Sequence, residues 1–318
     1  MVEDRTMASR SWIDTHVHLV DFLQAPADTA ELRDALVRNG ARRAVVFGLP
    51  VKKKWSVAEP VRPDYYLDDN APCHYHSLTD ATVLDLLPDL EAEGQLEVAP
   101  LICGFDPTDK LAIDHLEFVW SRSDRWAGIG EVMFRHDDLT NLTLGDVPAP
   151  DHEAMDAVLD FCAQRKVPIS LHHDSASPGL PDRHEYVGKL ENALDRHPTT
   201  SVVWCHAGVF RRTRPSNQLD LVRQLIERHA RLTIELSWVL LDHITDGTDT
   251  DPDWIALLAR HPDRFVVGTD TVASADTVDT RARQIHALLG ALPDPAARCV
   301  AEDNAQALWF PDSALPRP

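Results

Sequence analysis

The chain has 318 residues, 44% of them hydrophobic, and a formal net charge of −20. Its length and apolar content predict a globular protein with a large core and exclude an intrinsically disordered chain. The negative charge argues against non-specific binding to nucleic acid and against attachment to anionic lipid.

Cysteine usage and the chain start indicate a compartment. The 5 cysteines are widely scattered and show neither zinc-finger spacing nor a disulfide framework, as expected in a reducing environment. The first residues do not resemble a signal peptide, and no apolar run is long enough to cross a bilayer. The sequence therefore predicts a soluble cytoplasmic protein.

Eight apolar segments typical of buried β-strands alternate along the chain with segments of helical periodicity. The predicted strands are 11–20, 43–50, 96–104, 127–132, 167–173, 201–206, 232–237 and 265–270. The predicted helices are 28–40, 79–94, 109–122, 151–166, 184–197, 218–230, 253–260, 277–289 and 296–309. A long irregular segment, 51–77, follows the second strand and is predicted to form a lid, because long loops in compact domains are often functional.

This alternation predicts an α/β fold. Apolar strands joined by helices favour a parallel sheet, and eight such units in about 300 residues fit a single (β/α)8 TIM barrel. An open doubly wound sheet is the alternative, but no glycine-rich dinucleotide turn follows the first strand. We predict one barrel domain over residues 11–310, with terminal tails at 1–10 and 311–318.

The first predicted strand, SWIDTHVHLV, carries Asp14, His16 and His18 at alternate positions. Alternation along a strand places these side chains on one face. Two neutral imidazoles at this spacing can bind one metal ion, and hydrogen-bonded histidines of the core are the alternative.

Four later strands end in residues of the same chemical kind. The fourth ends at Glu131, the fifth at His172 and His173, the sixth at His206 and the eighth at Asp270. A helix-capping carboxylate or a core histidine would explain any one of them alone. All would meet at the mouth of one barrel, so together they predict a metal-dependent active site there.

This set, with the closing segment EDNAQALWF (302–310), resembles the metal-dependent amidohydrolase superfamily over essentially the whole chain. The resemblance implies a divalent metal, usually zinc, with manganese or iron as alternatives, and a bound water as nucleophile. It implies that His16, His18 and Asp270 are metal ligands and that Asp270 is also the catalytic proton acceptor. It further implies a homo-oligomer.

The segment GIGEV around Glu131 bears on the number of metal ions. It resembles the bridging glutamate of Tat-type deoxyribonucleases and of some phosphotriesterase-like lactonases. That implies one metal on His16, His18, Glu131 and Asp270 and a second on Glu131, His172 and His206. The first strand also resembles the aminocarboxymuconate-semialdehyde decarboxylase group, in which a single metal is bound and His206 would be an acid–base or carbonyl-polarising residue.

Adjacent His172 and His173 compete for one position, because only one of two neighbouring strand residues can point into a barrel. The family pattern favours His172 as the ligand. His173 or Asp174 would then orient a ligand from behind.

Basic and aromatic residues near the strand ends are candidates for binding substrate. The basic residues would bind a carboxylate or phosphate, and the aromatic ones would line an apolar part of the pocket. The alternative for the basic residues is ordinary solvated surface charge. The candidates are Lys52, Tyr66, Arg135, Arg211, Arg212 and Trp238.

We therefore predict a metal-dependent hydrolase that cleaves an ester, lactone or amide bond in a small anionic molecule. A non-oxidative decarboxylase of the aminocarboxymuconate-semialdehyde type is the nearest alternative, and a Tat-type phosphoester hydrolase is another. The net charge makes a polynucleotide substrate less attractive. A metal-binding protein without catalysis is a further alternative, disfavoured because it would have no chemical need for Asp270 as a base.

Overall fold

The computed structural model describes residues 10–22, 24–50, 78–136, 139–140 and 148–311. The predicted lid, 51–77, lies outside these residues.

Within the described ranges, nine strands form one sheet in which every pairing is parallel. They are β1 (Trp12–Val20), β2 (Ala41–Gly48), β3 (Glu97–Ile102), β4 (Gly128–Met133), β5 (Ile169–His172), β6 (Val202–Trp204), β7 (Leu232–Leu236), β8 (Phe265–Val267) and β9 (Thr271–Val272).

The two last strands close the barrel. β8 pairs with β7, and β9, three residues further on, pairs with β1. Together they occupy the eighth strand position of the barrel, so the predicted (β/α)8 fold is confirmed. Between them, Gly268 passes so close to β1 that a Cβ on it would lie 2.7 Å from the Cβ of His16.

Helices follow the strands, and most of them pack on the outside of the sheet. They are α1 (Thr29–Arg38), α2 (Thr79–Leu90), α3 (Ala112–Trp120), α4 (Glu153–Arg165), α5 (Val187–Arg196), α6 (Gln218–Arg228), α7 (Trp238–Ile244), α8 (Pro252–Arg260), α9 (Val278–Ala291), α10 (Asp294–Arg298) and α11 (Asn304–Trp309).

The structure differs from the predicted elements in several further places besides the divided eighth strand. α7 was not predicted. The predicted closing helix is divided by a π-helical turn, Cys299–Asp303. The sixth strand ends at Trp204, and Cys205–Gly208 forms a tight turn in which His206 has a φ of 39°. Periodicity alone does not reveal such a turn, because buried apolar residues continue through it.

The core has two layers, which explains why the strands are apolar on both faces. Alternate strand residues, such as Val45, Phe47 and Leu101, fill the barrel interior. Trp309 and Phe310 pack against the same cluster. A larger cluster joins the outer strand faces to the helices. No helix in the described ranges is both long and apolar enough to span a membrane.

Candidate metal centre

His16 and His18 lie on the inner face of β1, and both are buried. Their Nε2 atoms are 3.0 Å apart. Asp270 follows β8, and its Oδ1 lies 3.3 Å from His16 Nε2 and 3.4 Å from His18 Nε2. Residues that are more than 250 positions apart thus converge as the sequence predicts.

Glu131, on β4, lies between two pairs of histidines. Its Oε2 is 3.5 Å from the Nε2 atoms of both His16 and His18. Its Oε1 is 3.2 Å from His172 Nδ1 and 3.7 Å from His206 Nε2. One carboxylate therefore presents one oxygen to each pair.

The distances in the first group suit a metal ion. With metal–ligand bonds of about 2.0–2.1 Å, the edges of a tetrahedron are about 3.3 Å. The separations of His16 Nε2 and His18 Nε2 from each other, from Glu131 and from Asp270 run from 3.0 to 3.5 Å. In the second group, His172 Nδ1 and His206 Nε2 are also 3.0 Å apart.

The Nδ1 atoms of His16 and His18 already have hydrogen-bond partners. His16 Nδ1 lies 2.7 Å from Glu235 Oε2, and His18 Nδ1 lies 3.0 Å from the Gly48 carbonyl oxygen. Both partners only accept hydrogen bonds, so both Nδ1 atoms are the donors. The Nε2 lone pairs of two neutral rings would then face each other at 3.0 Å, a contact that needs a cation. The donor set therefore fits a divalent metal.

The electrostatics of the centre agree with this fit. Burial lowers the pKa of His16, but the carboxylates of Asp270, Glu235 and Glu131 outweigh it and raise that pKa well above its usual value. Burial raises the pKa of Glu131 and of Asp270, but neighbouring histidines outweigh it and lower both. The carboxylates thus favour positive charge at the centre.

The structure distinguishes the two adjacent histidines at the end of β5. His172 faces Glu131, and its Nε2 lies 3.0 Å from Asp174 Oδ1. Burial lowers the pKa of His172, but hydrogen bonds with Asp174 and Glu131 raise it to about 10. His173 turns outward and donates from Nε2 to the Tyr186 carbonyl, 2.9 Å away. Asp174, not His173, is therefore the residue behind the candidate ligand.

A cleft of about 220 Å³ opens beside these groups. Its lining includes an apolar wall and, besides it, Arg211, Trp238 and His136. The Arg211 guanidinium lies over the Trp238 ring at 5.4 Å. The apolar wall consists of Phe22, Leu49, Met133, Leu139 and Val272.

Only part of the predicted substrate-binding set lies at this cleft. Arg211 and Trp238 line it, whereas exposed Arg212 is not among its lining residues in the described part of the chain. Arg135 is also not among those lining residues, and its guanidinium packs on the Tyr186 ring at 3.8 Å, so its role in substrate binding stays a prediction. Lys52 and Tyr66 lie outside the described residues.

Sequence reasoning missed several residues of the centre. Met133 follows Glu131 by two residues, so strand alternation could have placed it on the inner face. Glu235 is the one acidic residue of the LTIELS segment, and an isolated carboxylate in an apolar strand was a usable signal. His136 follows β4, and its ring stacks on His172 at a centroid distance of 4.5 Å. No sequence pattern marked it.

The profile of a family described as Amidohydrolase matches residues 123–310, more than half of the chain. The chain belongs to this family. It is accordingly a metal-dependent enzyme, as predicted. The matched region runs from before β4 to the end of α11 and includes Glu131, His172, His206 and Asp270.

Solved structures share the fold over nearly the whole chain. A dihydroorotase from Campylobacter jejuni is 14% identical, with a TM-score of 0.59 over 96% of this chain and 85% of that chain. The 5-carboxyvanillate decarboxylase of Novosphingobium aromaticivorans, solved with manganese, is 13% identical, with a TM-score of 0.54 over 94% and 95%. The 4-oxalomesaconate hydratase of Rhodopseudomonas palustris is 11% identical, with a TM-score of 0.55 over 94% and 95%. Comparison with curated proteins gives no match.

Proposed function

We propose that this amidohydrolase is a hydrolase that cleaves an ester, lactone or amide bond in a small anionic substrate. The observation that carries the proposal is the position of Glu131, whose two oxygens face two separate histidine pairs. This is the arrangement expected of a carboxylate that bridges two metal ions.

Charge balance supports two ions rather than one. Four carboxylates contact the imidazole rings of the candidate histidine ligands: Glu131, Asp174, Glu235 and Asp270. Their four negative charges match the four positive charges of two divalent cations, and an unbalanced buried charge is costly. Imidazole and carboxylate ligands suit zinc, which we propose as the metal, and also suit manganese and iron.

In this proposal His16, His18 and Asp270 would hold one ion, His172 and His206 would hold the other, and Glu131 would serve both. A bound divalent metal supplies Lewis acidity and makes water nucleophilic near neutral pH. Asp270, one-tenth exposed at the cleft, takes the proton from the attacking water and delivers it to the leaving group. Arg211 binds the anionic group of the substrate, and the wall at Met133 and Leu139 accepts its apolar part.

The test combines metal content with product analysis. We expect about two zinc ions per chain, and turnover with a panel of lactones, esters or amides that carry a carboxylate. Release of carbon dioxide from a carboxylated substrate, with one ion per chain, would instead support the decarboxylase alternative. Turnover restricted to phosphoesters would support the Tat-type alternative, and either result would contradict the proposal.

A further inference from the structure

Each histidine pair has one ring that is held from behind by a carboxylate outside the candidate ligand set. Glu235 Oε2 accepts from His16 Nδ1 at 2.7 Å, and Asp174 Oδ1 lies 3.0 Å from His172 Nε2. Both carboxylates are almost completely buried, at 1% and 0% exposure. Neither lines the cleft, so neither is placed to touch a substrate.

The two carboxylates select opposite ring nitrogens. Glu235 occupies Nδ1 of His16 and leaves Nε2 toward the centre. Asp174 occupies Nε2 of His172 and leaves Nδ1 toward Glu131 and His206. The partner of one ring nitrogen fixes which nitrogen can bind a metal, so each carboxylate decides the binding atom of its histidine.

Glu235 is itself fixed in place. Ser237 Oγ donates to Glu235 Oε2 at 2.9 Å, and Thr15 Oγ1 lies 3.0 Å from Oε1. Glu235 belongs to β7, which contributes none of the six candidate ligands. A strand without a ligand thus orients a ligand of β1, from which it is separated only by β8 and β9.

We propose that Glu235 and Asp174 are separate positioning residues, one for each metal position. Glu235 sets the affinity of the position formed with His16, His18 and Asp270, and Asp174 that of the position formed with His172 and His206. This inference rests on the proposed metal centre. It adds that the metal affinity of each position can be lowered independently, by replacing the carboxylate that holds its histidine.

The experiment measures zinc affinities by equilibrium dialysis against chelator-buffered zinc. Two reference variants each leave one position: H206A keeps the first and H18A keeps the second. In the H206A background we expect E235Q to weaken zinc binding about 10- to 100-fold and D174N to change it less than about twofold. In the H18A background the pattern should be reversed. The visible spectrum of the cobalt-substituted proteins gives a second readout, because it follows ligand geometry independently of turnover.

The control for general loss of stability is D80N. Asp80 is also a buried carboxylate, but its hydrogen bonds go to the backbone of Cys103 and Gly104. Its replacement should leave both zinc affinities unchanged. If E235Q does not fold, S237A removes one donor to the same carboxylate and should produce a smaller shift in the first position alone.

The outcomes separate this inference from the proposed function. The inference would be overturned, and the metal centre would stand, if either variant lowered the zinc affinity of both positions equally. The same holds if neither variant lowered the zinc affinity of any position. Binding of a single ion by the wild type would overturn the division into two positions. A wild-type protein that binds no zinc, manganese or iron would overturn the proposed centre itself.

Discussion

At the scale of single residues, the centre depends on which atom of each side chain faces inward. His16 and His172 present different ring nitrogens, and Glu131 presents both oxygens. Residue identity was readable from the sequence, because strand ends of a parallel barrel share one rim. The binding atoms were not, since they depend on partners that are distant in the chain.

Replacing Asp270 by Asn tests its role as proton acceptor. The amide keeps the size of the side chain but cannot take a proton, so we expect kcat to fall about 10²- to 10⁴-fold at saturating zinc. Steady-state kinetics checks this, with circular dichroism and zinc content as controls for folding and loading. Near-normal kcat in a folded, zinc-loaded D270N protein would contradict the assignment.

The adjacent residues Arg211 and Arg212 provide a test variant and its matched control for substrate binding. Arg211 lines the cleft, whereas exposed Arg212 is not among the residues found to line it. A charge-assisted hydrogen bond contributes about 1.5–3 kcal/mol, so R211Q should raise KM for an anionic substrate about 10- to 100-fold. R212Q should change KM less than about twofold. Equal effects of the two variants would show that long-range charge, not contact at the cleft, governs binding.

At the scale of elements, strands bring the ligands together only where backbones approach closely. Gly130 precedes the bridging glutamate and has a φ of 129°. A Cβ there would lie 2.4 Å from the Ser170 carbonyl oxygen on β5. In the GIGE motif, packing between β4 and β5 therefore requires the glycine at 130, and the chemistry of the centre requires the glutamate at 131.

G130A should disturb the β4–β5 contact and displace Glu131. We expect a loss of at least about 1–3 kcal/mol in the free energy of unfolding, together with lower zinc content. G188A is the matched control, because Gly188 lies in α5 with nothing within 4 Å of the added Cβ. Alanine there should stabilise the helix by about 0.5–1 kcal/mol. Urea unfolding measures both, and an undisturbed G130A protein would refute the packing argument.

Asp80 links α2 to the end of β3 and gives a pH-dependent contribution. Burial raises its pKa from 3.8 to about 6, although hydrogen bonds from Cys103 and Gly104 oppose this. The native state therefore binds a proton more tightly than the unfolded state. This contribution is full below the unfolded pKa and is lost as pH rises through the native one.

D80N should remove that dependence. Between about pH 4 and pH 7, wild-type stability should fall relative to D80N by up to about 3 kcal/mol, since each pKa unit corresponds to about 1.4 kcal/mol. Urea unfolding of the chelator-treated proteins at several pH values checks this. Parallel curves for the two proteins would mean that Asp80 titrates normally.

At the scale of the whole molecule, closure of the barrel collects like charges in one buried place. Four carboxylates contact the rings of the candidate histidine ligands, and a bound divalent metal would compensate their repulsion. Metal bound only by the native state should therefore stabilise the fold.

Removing metal with a chelator should lower Tm, and added zinc should restore it. Ligand at about 1,000 times its Kd contributes about 4 kcal/mol, so the shift should be easily measured by calorimetry. H18A, which lacks one candidate ligand, should show a smaller shift. An unchanged Tm after verified removal of metal would show that metal binding does not stabilise the fold.

The sequence by itself determined the barrel and the chemical identity of its rim, because strand periodicity and the ends of parallel strands are local features of the chain. It also identified His16, His18, Glu131, His206 and Asp270 as a set. Only the tertiary structure placed Glu235 behind His16, turned His173 outward and laid Arg135 on Tyr186. These outcomes depend on contacts between distant segments, and a strand pattern reports which face a residue occupies but not what lies across the barrel from it.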